Sequence, residues 1–360
     1  MATVSLCMIV KDEEEVLARC LESAKGLADE IVIVDTGSAD GTRAIAAEYT
    51  DRIFDFPWND SFADARNYAF SKGTGEYLMW LDADDVIEGE DRERFLRLKE
   101  SLTGEEDVVM LPYEAAFDGQ GRPVFSYYRE RLLRNHRGFR WEGAVHEAIA
   151  PAGRVVWGDA AVRHRKGREK PGGGDRNLKI YEGLLKAGEK LDARHEFYYA
   201  RELKDHGRYG EAAKVFSAFL DRPDGWVENR VEACRQLAAC FKALGDSDGE
   251  MRALLRSFVF DVPRAETLCQ LGNAFMEQGK YEAAAYWFLL APAAPRRDKA
   301  GGFVMEDCYG YIPYLQLCVC FDRLGDYGRA AEYNERAAEF KPQSEAVGRN
   351  REYFRGRLEK

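Results

Sequence analysis

The chain has 360 residues, of which 46% are hydrophobic, 12% aromatic and 32% charged. That is enough apolar material for more than one packed core and excludes general disorder. Its net charge of −11 argues against a nucleic-acid binder, and no apolar run reaches the roughly 20 residues of a membrane span. The opening MATVSLCMIVKDEEE has no basic leader and meets carboxylates straight after its apolar stretch. It therefore reads as no signal peptide, and a cytoplasmic protein is expected. The eight cysteines form no CxxC pair, only the C-x-C of Cys318 and Cys320. They read as small buried residues in a reducing compartment.

Val4 to Val10 predicts a buried strand, and Val16, Leu17, Cys20 and Leu21 then set a helical period. EIVIVD (residues 30–35) is a second strand, stopped by the turn Thr36-Gly37-Ser38-Ala39-Asp40-Gly41. A helix over 42–49, a short strand over 52–56 and a helix over 61–72 follow. EYLMWL (residues 76–81) is a third buried strand and runs into Asp82-Ala83-Asp84-Asp85. This alternation predicts an α/β domain with a mostly parallel sheet and helices on both faces. Sites in such sheets gather at the carboxyl ends of strands, where Asp35 and Asp82 stand.

Near RHRKGREKPGGGD (residues 163–175) the composition turns basic and then glycine-rich, which reads as a linker or lid. Beyond it helical periods dominate. The turns at Gly207, Gly245, Gly279 and Gly325 repeat, and three of them continue into Glu-Ala-Ala or Arg-Ala-Ala. A spacing of about 34 residues with helix-turn-helix content resembles the tetratricopeptide repeat. The last interval is longer and holds Pro292, Pro295, Gly301 and Gly302, so an inserted loop is expected there. The expected division is residues 1–165, a linker or lid over 166–175, and an all-α repeat solenoid over 176–360.

The first strand leads into Lys11-Asp12-Glu13-Glu14-Glu15. A dinucleotide fold needs glycines at this turn and a P-loop needs GxxxxGK[ST], so both are excluded. Carboxylates here would repel a diphosphate unless a divalent cation neutralised it. Asp82 and Asp84, two apart on an extended chain, would point the same way and offer hard oxygen ligands for Mg²⁺ or Mn²⁺. An EF-hand is excluded because Val86 and Ile87 would fill its fifth and sixth positions. Asp35 is either a turn-initiating residue or a carboxylate for a base or ribose. Arg66 belongs to a helix face. Trp58 and Trp141 either stack on a sugar or fill the core.

SLCMIVK (residues 5–11), IVIVDTGSADGT (31–42), FADARNYA (62–69) and YLMWLDADD (77–85), in this order, resemble a family 2 glycosyltransferase with the GT-A fold. WEGAVHE (141–147) and His164 resemble the branch of that family that carries tetratricopeptide repeats. The resemblance implies a nucleotide-sugar donor, most often a UDP-sugar, a divalent metal and inversion at the anomeric carbon. It places Asp35 on the uracil or ribose, Arg66 near the nucleotide, Asp82 on ribose or the metal shell, and Asp84 with His164 on the metal. Lys166 and its basic neighbours would face the diphosphate. Asp12 stands where the family often has Asn, and Arg165 and Lys166 follow His164 where relatives often have a glycine or an aromatic.

A carboxylate or imidazole must take the acceptor proton, and adjacent His146 and Glu147 should point apart, so either one of them is the base, Glu147 before His146, or both are structural. The repeats would position a peptide or protein acceptor or mediate dimerisation. The alternative is a non-catalytic adaptor with a degenerate sugar-nucleotide fold. A sugar nucleotidyltransferase is excluded, because its glycine-rich, arginine-bearing first loop is missing.

Overall fold

The computed structural model describes residues 2–167 and 174–358. The chain forms two compact units, Met1–Lys190 and Leu191–Lys360. In the first unit β1 (Val4–Val10), α1 (Leu17–Ala24), β2 (Glu30–Asp35), α2 (Thr42–Ala47), β3 (Ile53–Asp55), α3 (Phe62–Phe70) and β4 (Tyr77–Met79) alternate as the hydrophobic pattern predicts. Then come β5 (Asp85–Val86), α4 (Glu90–Ser101), β6 (Val108–Phe117), β7 (Pro123–Arg134), β8 (Val155–Trp157), β9 (Val162–His164) and α5 (Arg176–Lys186). The strand order is β3-β2-β1-β4-β7-β6-β9-β5, with β8 beside β6.

The first four strands are parallel, Val10 facing Asp35 and Leu6 facing Met79. The rest of the sheet is mixed, with β8 and β9 parallel to β6 and β5 antiparallel to β9. β7 runs antiparallel to both β4 and β6. The cause is local: Asp118 accepts from the amides of Gln120 (2.9 Å) and Arg122 (3.0 Å), and Gly121 takes φ 76°, closing a hairpin too short for a parallel crossover.

Side chains of β1 enter two cores by alternation. Leu6 and Met8 join Leu17, Leu21 and Phe95 under α1 and α4. Cys7 joins Val34, Phe70, Trp80 and Trp141 under α3. A sheet buried on both faces explains the near-continuous apolar run of β1. Cutting back fully buried Leu17 to alanine costs about 2–5 kcal/mol.

The second unit pairs α6 (Ala193–Asp205) with α7 (Tyr209–Asp221), α8 (Val227–Ala243) with α9 (Ser247–Phe260), and α10 (Ala265–Glu277) with α11 (Tyr281–Leu290). α12 (Tyr311–Arg323) with α13 (Tyr327–Phe340) and then α14 (Glu345–Leu358) complete it. Gly207, Gly245, Gly279 and Gly325 link the helices of each pair with φ of 73°, 76°, 72° and 81°, a conformation that glycine enters without steric cost. The expected insertion lies between α11 and α12 and is ordered, with 3-10 turns at Ala291–Ala293, Asp298–Ala300 and Glu306–Tyr309. All eight cysteines are buried thiols.

α5, read from sequence as the start of the repeats, belongs to the first unit. Its Tyr181 is fully buried and donates to the Val145 carbonyl at 3.5 Å. Of the basic segment, Lys166 is exposed, and residues 168–173, including Arg168, Lys170, Gly172 and Gly173, lie outside the described residues. Among the described residues no helix is long and apolar enough to cross a membrane.

Candidate functional site

Strand β4 ends at Met79, and the backbone then turns so that the Asp85 amide donates to the Asp82 carbonyl at 3.0 Å. Asp82 and Asp84 are therefore not neighbours along one extended face, as the two-residue spacing suggested. The turn sends them to different partners.

Asp84 meets His164. β5 pairs antiparallel with β9, placing Asp85 opposite His164, and the Arg165 amide donates to the Asp84 carbonyl at 2.8 Å. His164 Nδ1 lies 3.3 Å from Asp84 Oδ1 and 3.6 Å from Asp85 Oδ1. This nitrogen is buried and has no well-aligned hydrogen-bond partner. The two carboxylates, that of Asp84 foremost, raise the imidazole to about 9. Ligand atoms of Asp84, Asp85 and His164 fall within 4.8 Å of one another. A buried imidazole nitrogen facing two hard oxygens fits a divalent cation, which would take the place of the proton that those carboxylates favour. The chemistry suits Mn²⁺ or Mg²⁺, and Asp84 and His164 would hold it.

Asp85, not singled out from sequence, is the anchor of this cluster. It is fully buried and accepts from the Tyr113 hydroxyl (2.9 Å) and the Asp82 amide (3.1 Å). Its Oδ2 also lies 3.1 Å from Arg131 Nη1. Arg131 has no exposed surface; its guanidinium lies 3.8 Å from the Trp80 ring centre and 4.7 Å from that of Tyr113. Such a cation cannot shed its proton, and Asp85 is the carboxylate placed beside it.

Asp82 meets Arg66. α3 starts at Ser61, whose hydroxyl accepts from the Asp64 amide at 3.2 Å. Within it, Arg66 donates Nη2 to Asp82 Oδ1 and Nε to Glu147 Oε1, both at 2.6 Å. Burial alone would raise the Asp82 carboxyl, but Arg66, with Arg131 and Arg129 behind it, brings the net shift below the usual range. The Arg66 guanidinium is buried between Trp80 and Trp141, 5.1 and 4.8 Å from their ring centres. Trp141 thus fills core, whereas Trp58 packs edge-on against Phe62.

Asn67 fixes the same loop by a reciprocal pair with the Trp141 backbone, each bond 2.9 Å. Glu142 and Ala148 exchange backbone bonds that close residues 143–147 into a tight loop, with Gly143 at φ 98° and His146 at φ 51°. His146 and Glu147 point apart as adjacency predicts. The His146 ring lies stacked 6.4 Å from Tyr181, while Glu147 turns to Arg66.

Asp35, at the end of β2, is buried and accepts from the amides of Gly37 (2.8 Å) and Ser38 (2.7 Å). The acidic turn after β1 grips the loop after β2. Asp12 accepts from the Ala39 amide, and Glu14 from the Gly41 amide, both at 2.7 Å. In return Ser38 and Thr42 accept from the amides of Asp12 (3.0 Å) and Glu13 (2.6 Å). These carboxylates serve the fold by satisfying loop amides.

Residues 5–152 match the family described as glycosyl transferase family 2. A TPR repeat-containing protein of Synechococcus elongatus is 38% identical over 149 residues, 41% of this chain and 36% of that protein. A lipopolysaccharide core biosynthesis glycosyltransferase, LpsC of Rhizobium meliloti, is 31% identical over 163 residues, covering 42% and 58%. The chain thus spans less than two thirds of the length of either relative. Among solved structures, MamA is 17% identical with a TM-score of 0.37, covering 47% of this chain and 82% of that one. Arg66, Asp82, Asp84 and Glu147 all lie within residues 5–152, the part of the chain that matches glycosyl transferase family 2, and His164 follows it.

Proposed function

We propose that this protein transfers a sugar from a nucleotide-sugar donor, a UDP-sugar, to a peptide or protein acceptor, with inversion at the anomeric carbon. The observation that carries the reading is the convergence of Asp84 on the buried His164 Nδ1, with the Arg66–Asp82 pair on the same turn. Asp35, oriented by two loop amides, faces the uracil or ribose, and Asp82 the ribose side of the donor. A divalent cation, when bound by Asp84 and His164, supplies positive charge for the departing diphosphate. Lys166 adds to it from an exposed position.

Glu147 takes the acceptor proton on Oε2, because Oε1 is tied to Arg66 and sets the direction of the carboxylate. The bond from the acceptor heteroatom to the anomeric carbon forms as the bond to the diphosphate oxygen breaks, and the nucleoside diphosphate leaves with both electrons. His146 is the second candidate for the base. The helical unit is the platform for acceptor choice.

The test is melting temperature with UDP, with and without Mn²⁺. A Mn²⁺-dependent rise is expected in the wild type and should vanish in Asp84→Asn, because only specific binding to the native state raises the transition. An equal rise in both proteins rejects the site.

A further inference from the structure

The first helices of the pairs in the second unit bear charges that a helical core does not require. Glu228 and Arg235 on α8, Arg264 at the start of α10 and Glu266 in its first turn are all buried. Long charged side chains are rarely covered unless something must pair with them. What covers them is the insertion between α11 and α12. Glu266 Oε1 accepts from the backbone amide of Met305 at 2.9 Å, and its Oε2 from the Tyr309 hydroxyl at 3.4 Å. Arg235 donates to the Met305 sulfur at 3.2 Å.

Glu228 is held bidentately by Arg264, at 2.9 and 3.1 Å, and abuts Gly302 so closely that a Cβ there would lie 2.1 Å from its Oε2. Phe303 lies under the Arg201 guanidinium of α6 at 5.1 Å, and Arg297 reaches Asp261 at 3.0 Å. One stretch of chain therefore touches α6, α8 and α10, read through a backbone amide, an aromatic ring and a thioether. That is how a helical repeat reads an extended peptide.

We propose that the inner face of α6, α8 and α10 is a peptide-binding groove occupied in cis by residues 296–309. Its buried charged partners are groups that water can satisfy again when the segment lifts, while Val304, Met305, Cys308 and Tyr309 leave apolar contacts and Asp307 leaves Lys341. An extended peptide with a small-small-aromatic-aliphatic-Met core is the ligand class that the groove takes. While the segment is seated, an acceptor cannot use this groove without displacing it. The inference does not depend on sugar transfer.

Two measurements on the full chain test it. Cys308 lies on the segment and Cys269 beneath it, its sulfur 3.8 Å from the Cys308 carbonyl, while Cys318 and Cys320 share the same core on α12. With iodoacetamide and peptide mass spectrometry, Cys269 and Cys308 should be alkylated together, at least about ten-fold faster than Cys318 and Cys320, because local opening exposes only the first two. Equal rates mean that the segment leaves only on global unfolding, and overturn the proposal. Gly302→Val should dislodge the segment. A fluorescein-labelled synthetic peptide of residues 296–309 should then bind this variant at least about ten-fold tighter than the wild type, as polarisation reads. A folded Gly302→Val protein that ignores the peptide overturns the proposal as well. If the variant does not fold, the alkylation rates decide.

Discussion

Arg66 donates its Nε to Glu147 across 81 positions of sequence, and with the same guanidinium it holds Asp82. The family-like segments FADARNYA and WEGAVHE are thus two halves of one buried ion pair. Removing Arg66 leaves an almost covered carboxylate without its cation. Arg66→Ala should lose about 3–5 kcal/mol of stability, read by urea denaturation. A loss below 1 kcal/mol would show that water already reaches the pair.

Glu147→Gln separates structure from chemistry. The amide oxygen keeps the bond to Arg66, so stability should fall by less than about 1.5 kcal/mol. Transfer should fall by about 100-fold or more if Glu147 is the base. Unchanged transfer moves the role to His146.

Asp84 and Asp85 are adjacent but should fail differently. Asp84→Asn should leave the melting temperature of the free protein nearly unchanged and remove the Mn²⁺-dependent response. Asp85→Asn strips the counter-charge from buried Arg131 and should cost about 3 kcal/mol with no metal present. Equal destabilisation by the two would contradict the division into ligand and anchor.

Asp192 caps α6, accepting from the His195 amide and facing its Nδ1, both at 2.8 Å. The His195 bond holds its carboxyl down at about 2, against an ordinary value of 3.8. A depressed carboxylate stabilises the fold above the unfolded value and loses that contribution as pH falls through the folded one. Asp192→Ala should therefore cost about 1 kcal/mol from pH 8 to 5, and the gap between the two proteins should narrow between pH 4 and 2. A gap that widens on acidification would refute the cap.

Two helix glycines should respond with opposite signs. A Cβ on Gly272 of α10 would lie 2.6 Å from the Phe288 ring, so Gly272→Ala should cost about 1–3 kcal/mol. Exposed Gly348 of α14 has open space around it, and Gly348→Ala should gain up to about 1 kcal/mol. Thermal melts of both variants check the pair.

The strands and helices up to Met79 were legible because alternation and helical period are local signals. The repeat turns were legible because Gly207, Gly245, Gly279 and Gly325 mark the same backbone conformation each time. The site was only half legible. D-x-D spacing pointed to Asp82 and Asp84, but whether they share a face depends on a backbone turn that spacing does not encode. Asp85 drew no notice because its partners, Tyr113 and Arg131, come from the β6–β7 hairpin, where no period announced their direction. The carboxylates of Asp12 and Glu14 looked like electrostatics and turned out to be loop acceptors, because their amide partners lie 27 residues away.

Strand β9 follows residue 152, where the family match ends, yet it supplies His164 and runs beside β6 with Tyr113 facing Val162. β8 also follows that residue and pairs with Val108 to Met110. A fragment trimmed to the matched residues would therefore uncover one side of β6, a row of unpaired amides set among Val108, Val109, Met110 and Leu111. An open apolar edge of that kind recruits strands from other molecules. Such a fragment would aggregate, and its silence in an assay would say nothing about the full chain. The smallest piece worth expressing reaches past His164.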